Sequence, residues 1–199
     1  MSVLFHQFTS PDTPFDLAEF LYIVRRLYIW PIDKYKRQML NRVQNIYRYK
    51  YFVETGTHTG NTPRALRNDF EHIYTIELDE AWFLRSQSRL KRYSNITCLH
   101  GDSQQILRSV IPRIDLPAIF WLDAHYSGEG TALGAVKAPI LQEIELIGSS
   151  DVREHIVIVD DVSDFSAAEG YPPLSSILGA LEAINPKYKF YFDYDERIR

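Results

Sequence analysis

The stretch Tyr49-Lys50-Tyr51-Phe52-Val53-Glu54-Thr55-Gly56-Thr57-His58-Thr59-Gly60-Asn61-Thr62 decides how the rest of this 199-residue chain is read. It opens as an apolar, β-prone run, turns at Gly56 and Gly60, and passes into Pro63-Arg64-Ala65-Leu66, where a proline suits the first turn of a helix. The pattern predicts a strand, a tight loop and a helix. Glycines take side-chain bulk out of such a loop, and the free N–H groups at a helix head point outward, so a ligand can approach the backbone closely. Glu54, at the strand's end, is placed to meet a cationic or hydroxyl-bearing group.

Beyond Tyr51, short β-branched or aromatic runs alternate with longer helical segments. Strands are expected at Tyr51–Glu54, Ile73–Leu78, Ile96–His100, Ala118–Asp123, Ile156–Asp160 and Lys189–Tyr194. Helices are expected at Pro63–Phe70, Glu80–Tyr93, Gln104–Ile111, Pro139–Ile147 and Leu174–Ile184, the last with Leu174, Ile177, Leu178, Leu181 and Ile184 on one face. This alternation implies an α/β fold: a doubly wound, mostly parallel sheet with helices on both faces. In such sheets ligands bind beyond the carboxyl ends of the strands, where the strand order reverses. The expected strands end in acids: Glu54, Glu77, Gly101-Asp102, Asp123 and Asp160-Asp161. Asp102, with Gln105 three residues on, also suits the cap of the following helix.

Glu54-x-Gly56-x-x-x-Gly60 resembles the first motif of class I S-adenosylmethionine-dependent methyltransferases, with His58 where most of that family has a glycine. The register of the acids agrees with that resemblance from about Tyr49 to Asp161. It implies a Rossmann-like domain that binds S-adenosyl-L-methionine. Gly56, Thr57, His58, Gly60, Asn61 and Thr62 would lie along the methionyl part, with Glu54 organising their loop. Glu77 and Leu78 would meet the ribose, Asp102 and Ser103 the adenine, and Asp123 would stand beside the cofactor. The position of Glu77, about 20 residues past the glycine loop, is also where a nucleotide-binding sheet places a ribose-binding acid. A dinucleotide fold is the other source of such a pair, but the G-x-G-x-x-G spacing is missing.

The runs Ala118-Ile119-Phe120-Trp121-Leu122-Asp123-Ala124-His125-Tyr126 and Ile156-Val157-Ile158-Val159-Asp160-Asp161 are similar to the fourth and fifth strands of metal-dependent small-molecule O-methyltransferases of the catechol and macrolide-sugar types. That similarity implies Mg²⁺ held by Asp123, Asp160 and Asp161, and methylation of a hydroxyl on a small-molecule acceptor. Hard carboxylate oxygens suit Mg²⁺, and its charge eases loss of a hydroxyl proton. Where many of those enzymes have Asp-Ala-Asp-Lys, this chain has Asp123-Ala124-His125-Tyr126. His125 is therefore the candidate catalytic base, or a metal ligand, alongside Asp123. The loop Ser127–Gly134 lacks the P-loop spacing and is expected either to cover the acceptor pocket or simply to connect two elements.

Composition narrows the partners. A net charge of -4 and a pI near 5.9 offer no basic surface for nucleic acid, which makes it an unlikely partner. Cys98 is the sole cysteine, so an intrachain disulfide and a cysteine zinc cluster are excluded, and Ile96-Thr97-Cys98-Leu99 reads as a strand with a buried thiol. No signal-peptide pattern and no uncharged apolar run of membrane-spanning length is present, so a cytoplasmic location with no membrane partner is expected. Residues 1–48 read as an N-terminal helical extension, a lid or an interface, and 49–199 as the methyltransferase domain. The extension starts loosely through Pro11 and Pro14, then carries Leu17, Phe20, Leu21, Val24, Leu27 and Tyr28 at helical spacing, with Asp16 as cap. Between Leu21 and Lys50 basic residues far outnumber Asp33 and are interleaved with tyrosines, which suits a solvated face or a contact surface, including one in a homodimer. The final antiparallel strand usual in this fold has no candidate after Tyr194, so that edge is expected to be missing or completed differently. Two other readings stay open: an RNA or protein methyltransferase docking through the basic segment, and a module that binds the cofactor or a partner without chemistry.

Overall fold

The computed structural model describes residues 2–6, 32–123, 139–160, 162, 165 and 170–193. Met1–Gln7 and Tyr49–Arg199 form one compact unit, and Phe8–Arg48 another. In the larger unit the strands are β1 (Ser2–His6), β2 (Tyr51–Thr55), β3 (His72–Glu77), β4 (Ile96–His100), β5 (Ala118–Leu122), β6 (Ile156–Val159) and β7 (Lys189–Asp193). They make a single sheet in the order β4-β3-β2-β5-β6-β1-β7. From β4 to β6 every pairing is parallel, whereas β1 is antiparallel to both of its neighbours. The helices α2 (Asn61–Leu66), α3 (Glu80–Leu90), α4 (Ser103–Val110), α5 (Ile140–Gly148) and α6 (Leu174–Ile184) lie between the strands in sequence. The unit is thus a Rossmann-like, doubly wound α/β domain, as the alternation implied.

Strand alternation sorts the core into two layers. Val53, Phe120, Leu122, Val157 and Val159 point to one face and pack with Leu107 of α4, Ile140, Ile144 and Ile147 of α5, and Ile177 and Leu181 of α6. On the other face Phe52 meets Phe70 with ring centroids 5.3 Å apart, and Leu66 and Leu90 are fully buried. Ile156-Val157-Ile158-Val159 is buried throughout, as a parallel strand covered on both faces must be.

The expected strands and helices of residues 49–193 are present, with ends displaced by a few residues at most. The opening residues differ. Ser2–His6, expected to be loose, is a strand inserted between β6 and β7, with Val3 opposite Val159 and Phe5 opposite Val157 on one side and Phe190 on the other. The antiparallel strand that seemed missing is therefore supplied from the other end of the sequence. The division expected at residue 48 is crossed by this strand.

The helix expected around Leu17–Tyr28 lies outside the described residues. In the smaller unit, Ile32–Tyr47 (α1), read from sequence as part of a basic tyrosine-bearing segment, is a helix. Met39, Leu40 and Val43 fall on one side of it and are buried. Arg48 ends it in the left-handed region at φ 54, its N–H donating to the Gln44 carbonyl over 2.8 Å. Cys98 is half-buried rather than buried. Burial, with Glu54 second, pushes its thiol up to about 11, which disfavours the reactive thiolate.

Candidate functional site

Strand order reverses between β2 and β5, and the glycine loop leaves β2 at that point. Three anchors hold the loop. Beneath it, Thr75 of β3 donates its hydroxyl proton to Glu54 Oε2 over 2.6 Å. With that proton committed, the 2.5 Å contact between the Thr57 and Thr75 hydroxyls has Thr57 as donor. Glu54, Thr57 and Thr75 are all buried, so Glu54 braces the loop from inside the domain.

The second anchor is Glu77, at the end of β3. One carboxylate oxygen accepts the His58 N–H over 2.6 Å, and the other accepts the Asp79 N–H over 2.9 Å. Each oxygen keeps a lone pair for a further donor. The third anchor is Arg89 of α3, which donates to the Thr59 carbonyl over 2.6 Å and to the Asn61 side-chain oxygen over 3.2 Å.

The loop backbone is left-handed at Gly56 (φ 91), His58 (φ 47) and Gly60 (φ 71). Histidine tolerates that region better than most residues. At position 58 it aims its N–H at Glu77 while its ring lies 4.1 Å from that of Trp82, centroid to centroid. These contacts account for a histidine where the motif usually has glycine. Gly60 has no such freedom, because a Cβ there would come within 2.9 Å of Leu90 Cδ1 and 3.3 Å of Ser86 Cβ, both on buried residues. Gly60→Ala is therefore expected to destabilise the protein by about 2–4 kcal/mol, combining left-handed strain with overpacking, as read by denaturant unfolding.

The acids read from the sequence do not all share one edge. Glu54 lies a full alternation inside, opposite Thr75 and Trp121. Glu77 ends its strand opposite His100. Asp123 and Asp160 follow their strands directly, the Asp123 N–H donating to the Thr55 carbonyl over 3.1 Å and the Asp160 N–H to the Leu122 carbonyl over 3.0 Å. By alternation Glu77, Asp123 and Asp160 stand at one level on the sheet face that carries Glu54 and Trp121. Asp160 is buried and Asp123 half-buried.

Asp102 caps α4, accepting the Gln104 N–H over 2.8 Å, after Gly101 has turned the chain at φ 137. Leu78 offers its carbonyl to the His100 ring at 3.2 Å. Ser103 is buried at the head of α4, and Asn61 and Thr62 open α2, whose first turn receives no side-chain cap. Asp161, His125 and the Ser127–Gly134 loop lie outside the described residues, and among the described residues no three metal-ligating side chains converge.

Thr75, Trp82 and Arg89 went unread in the sequence, although each holds the loop. Thr75 left a trace as the polar member of Ile73-Tyr74-Thr75-Ile76. Trp82 and Arg89 left none, because both act across the space between α3 and the loop.

No protein-family model matches this chain, and no curated protein does. Its fold is similar to that of solved methyltransferases. A Staphylococcus aureus protein provisionally named a caffeoyl-CoA O-methyltransferase is 16% identical over 85% of this chain and 78% of its own, with a TM-score of 0.53. A Klebsiella pneumoniae protein provisionally named an O-methyltransferase is 16% identical over 75% and 65%, with a TM-score of 0.52. The O-methyltransferase TomG of Streptomyces achromogenes, involved in tomaymycin synthesis and solved with S-adenosylmethionine, is 15% identical over 76% and 66%, with a TM-score of 0.51. This chain spans only about two thirds of the length of the last two. The likeness is one of fold: the sheet and its covering helices are those on which such enzymes are built. Among the described residues no helix is long and apolar enough to cross a membrane.

Proposed function

We propose that this chain is an S-adenosylmethionine-dependent methyltransferase that methylates a hydroxyl of a small molecule. The observation that carries the reading is the glycine loop at the reversal of strand order, held by Glu77 through two amide hydrogen bonds that leave lone pairs on both oxygens. When bound, S-adenosylmethionine supplies an electrophilic methyl group. Glu77 would accept the ribose hydroxyls, Gly56 would let the methionyl part pass close to the backbone, and the Gly101-Asp102-Ser103 turn would border the adenine. Most of the rate in an in-line displacement comes from alignment, which a loop anchored on three sides favours. His125 would take the acceptor's proton.

Asp123 and Asp160 provide hard oxygen donors at neighbouring strand ends, which suits Mg²⁺, and Asp161 would complete the set. Mg²⁺ there would supply positive charge against which an acceptor hydroxyl loses its proton more readily. In that case melting with cofactor present should rise with Mg²⁺, by about 1.4 kcal/mol of stability for each tenfold increase once the site is filled. Asp160→Asn should flatten the response. Curves indifferent to Mg²⁺ and Mn²⁺ alike would point to metal-free chemistry with His125 as base.

Titration calorimetry with S-adenosylhomocysteine tests the main reading. Saturable one-to-one binding is expected, and no binding across the micromolar to millimolar range would overturn it.

A further inference from the structure

Glu143 is a buried ionisable side chain that the site does not yet employ. It sits in the first turn of α5, in line with Ile140, Ile144 and Ile147 on the face buried against the sheet. No solvent reaches it. Among the described residues neither carboxyl oxygen makes a hydrogen bond of good geometry, although the hydroxyls of Ser103 and Thr55 stand beside them.

A buried acid left in that state is costly, and its neighbours explain why it stands there. Thr55 ends β2 at the entry to the glycine loop, and its hydroxyl oxygen lies 3.3 Å from the Asp123 N–H, which it accepts. The Thr55 proton is thereby free to turn toward Glu143. Ser103 opens α4 directly after the Gly101-Asp102 turn. Glu143 thus stands beside the residue that ends β2 and the residue that opens α4.

Among the described residues, Asp102 is the charged group acting on Glu143. The buried residues that α6 adds to the same layer, Ile177 and Leu181, are apolar. Glu54, Glu77, Asp123 and Asp160 project from the opposite face of the sheet. Burial, more than the repulsion of Asp102, raises the acid to about 7, while the two hydroxyls pull the other way. A neutral carboxyl can both donate and accept, whereas a carboxylate there would sit buried beside another carboxylate.

We propose that Glu143 is a positioning residue that carries its proton in the cofactor complex, clasps Thr55 to Ser103, and so couples cofactor binding to proton uptake. This rests on the cofactor reading above. The sign follows from linkage. A complex that requires the neutral acid binds a proton when formed above the free protein's titration, so affinity is fully present at lower pH and is lost as pH rises beyond about 7, by up to about tenfold per unit.

The test is calorimetry with S-adenosylhomocysteine in buffers of different ionisation heat, at about one pH unit above that titration. Wild type is expected to take up as much as one proton. Glu143→Gln, which keeps the shape and a neutral polar head, should bind with affinity nearly independent of pH and without that uptake. Glu143→Leu should bind weakly at every pH. A wild-type heat that is the same in all buffers overturns the proposal whether or not the variants fold, as does an uptake that persists undiminished in Glu143→Gln. Absence of any binding by wild type would instead bring down the cofactor reading, and this one with it.

Discussion

Deleting residues 1–7 is expected to leave a chain that no longer unfolds in one cooperative transition. β7 reaches the sheet only through β1, with Ser2 opposite Asp193, Leu4 opposite Tyr191 and His6 opposite Lys189. Without β1 the hydrogen-bonding edge of β6 lies open, and β7 must either find a new register or detach. Detachment would draw Tyr188 and Phe190 out of the layer they share with α6. Buried side chains of that size contribute about 1.5–3 kcal/mol each. The lost strand pairing adds to that, and a domain holds only about 5–15 kcal/mol in all. The measurement is chemical denaturation followed by circular dichroism. A deletion variant with an unchanged midpoint and slope would mean that the sheet closes without its first strand.

Glu77→Ala is expected to weaken S-adenosylhomocysteine binding by about 2–4 kcal/mol, more than one lost hydrogen bond would cost. The side chain serves two functions at once: it is the proposed acceptor for the ribose, and it already holds His58 N–H and Asp79 N–H. Removing it costs the ligand contact and also lets the left-handed residue at 58 relax, so the loop must be ordered again on binding. Glu77→Gln should fall between, since an amide offers one acceptor oxygen and turns a donor toward the second N–H. Calorimetry on both variants separates the possibilities. Equal affinity in wild type and Glu77→Ala would remove Glu77 from the site, whereas equal losses in the two variants would mean that both oxygens are needed.

The candidate site was legible where chemistry coincides with local pattern. Gly56, Gly60 and Glu77 could be found because turns need glycine and because the βα unit has a set length. Asp102 was legible both as a helix cap and as a strand-end acid, and it caps α4. Glu143 had a signal that was passed over: an acid on the apolar stripe of Ile140, Ile144 and Ile147, where solvation cannot account for it. Glu54 was expected to organise the loop, and its Oε2 does accept the Thr75 hydroxyl beneath it; that Thr75 would be the donor could not be read. The donor is decided by what the neighbouring strand presents, and β3 begins many residues downstream.

By itself the sequence determined the α/β class, the run of strands and helices from Tyr51 to Asp193, and the glycine turn that leaves β2. Periodicity and turn chemistry act over a few residues, so they survive in the linear order. The tertiary structure alone decided that Ser2–His6 closes the sheet, that His58 tolerates a glycine position through Glu77 and Trp82, and that Glu143 meets Thr55 and Ser103. Each of these depends on contacts between residues far apart in sequence. A five-residue strand carries too little pattern to reveal its partner, and the environment of a buried acid is set by whatever the fold packs around it.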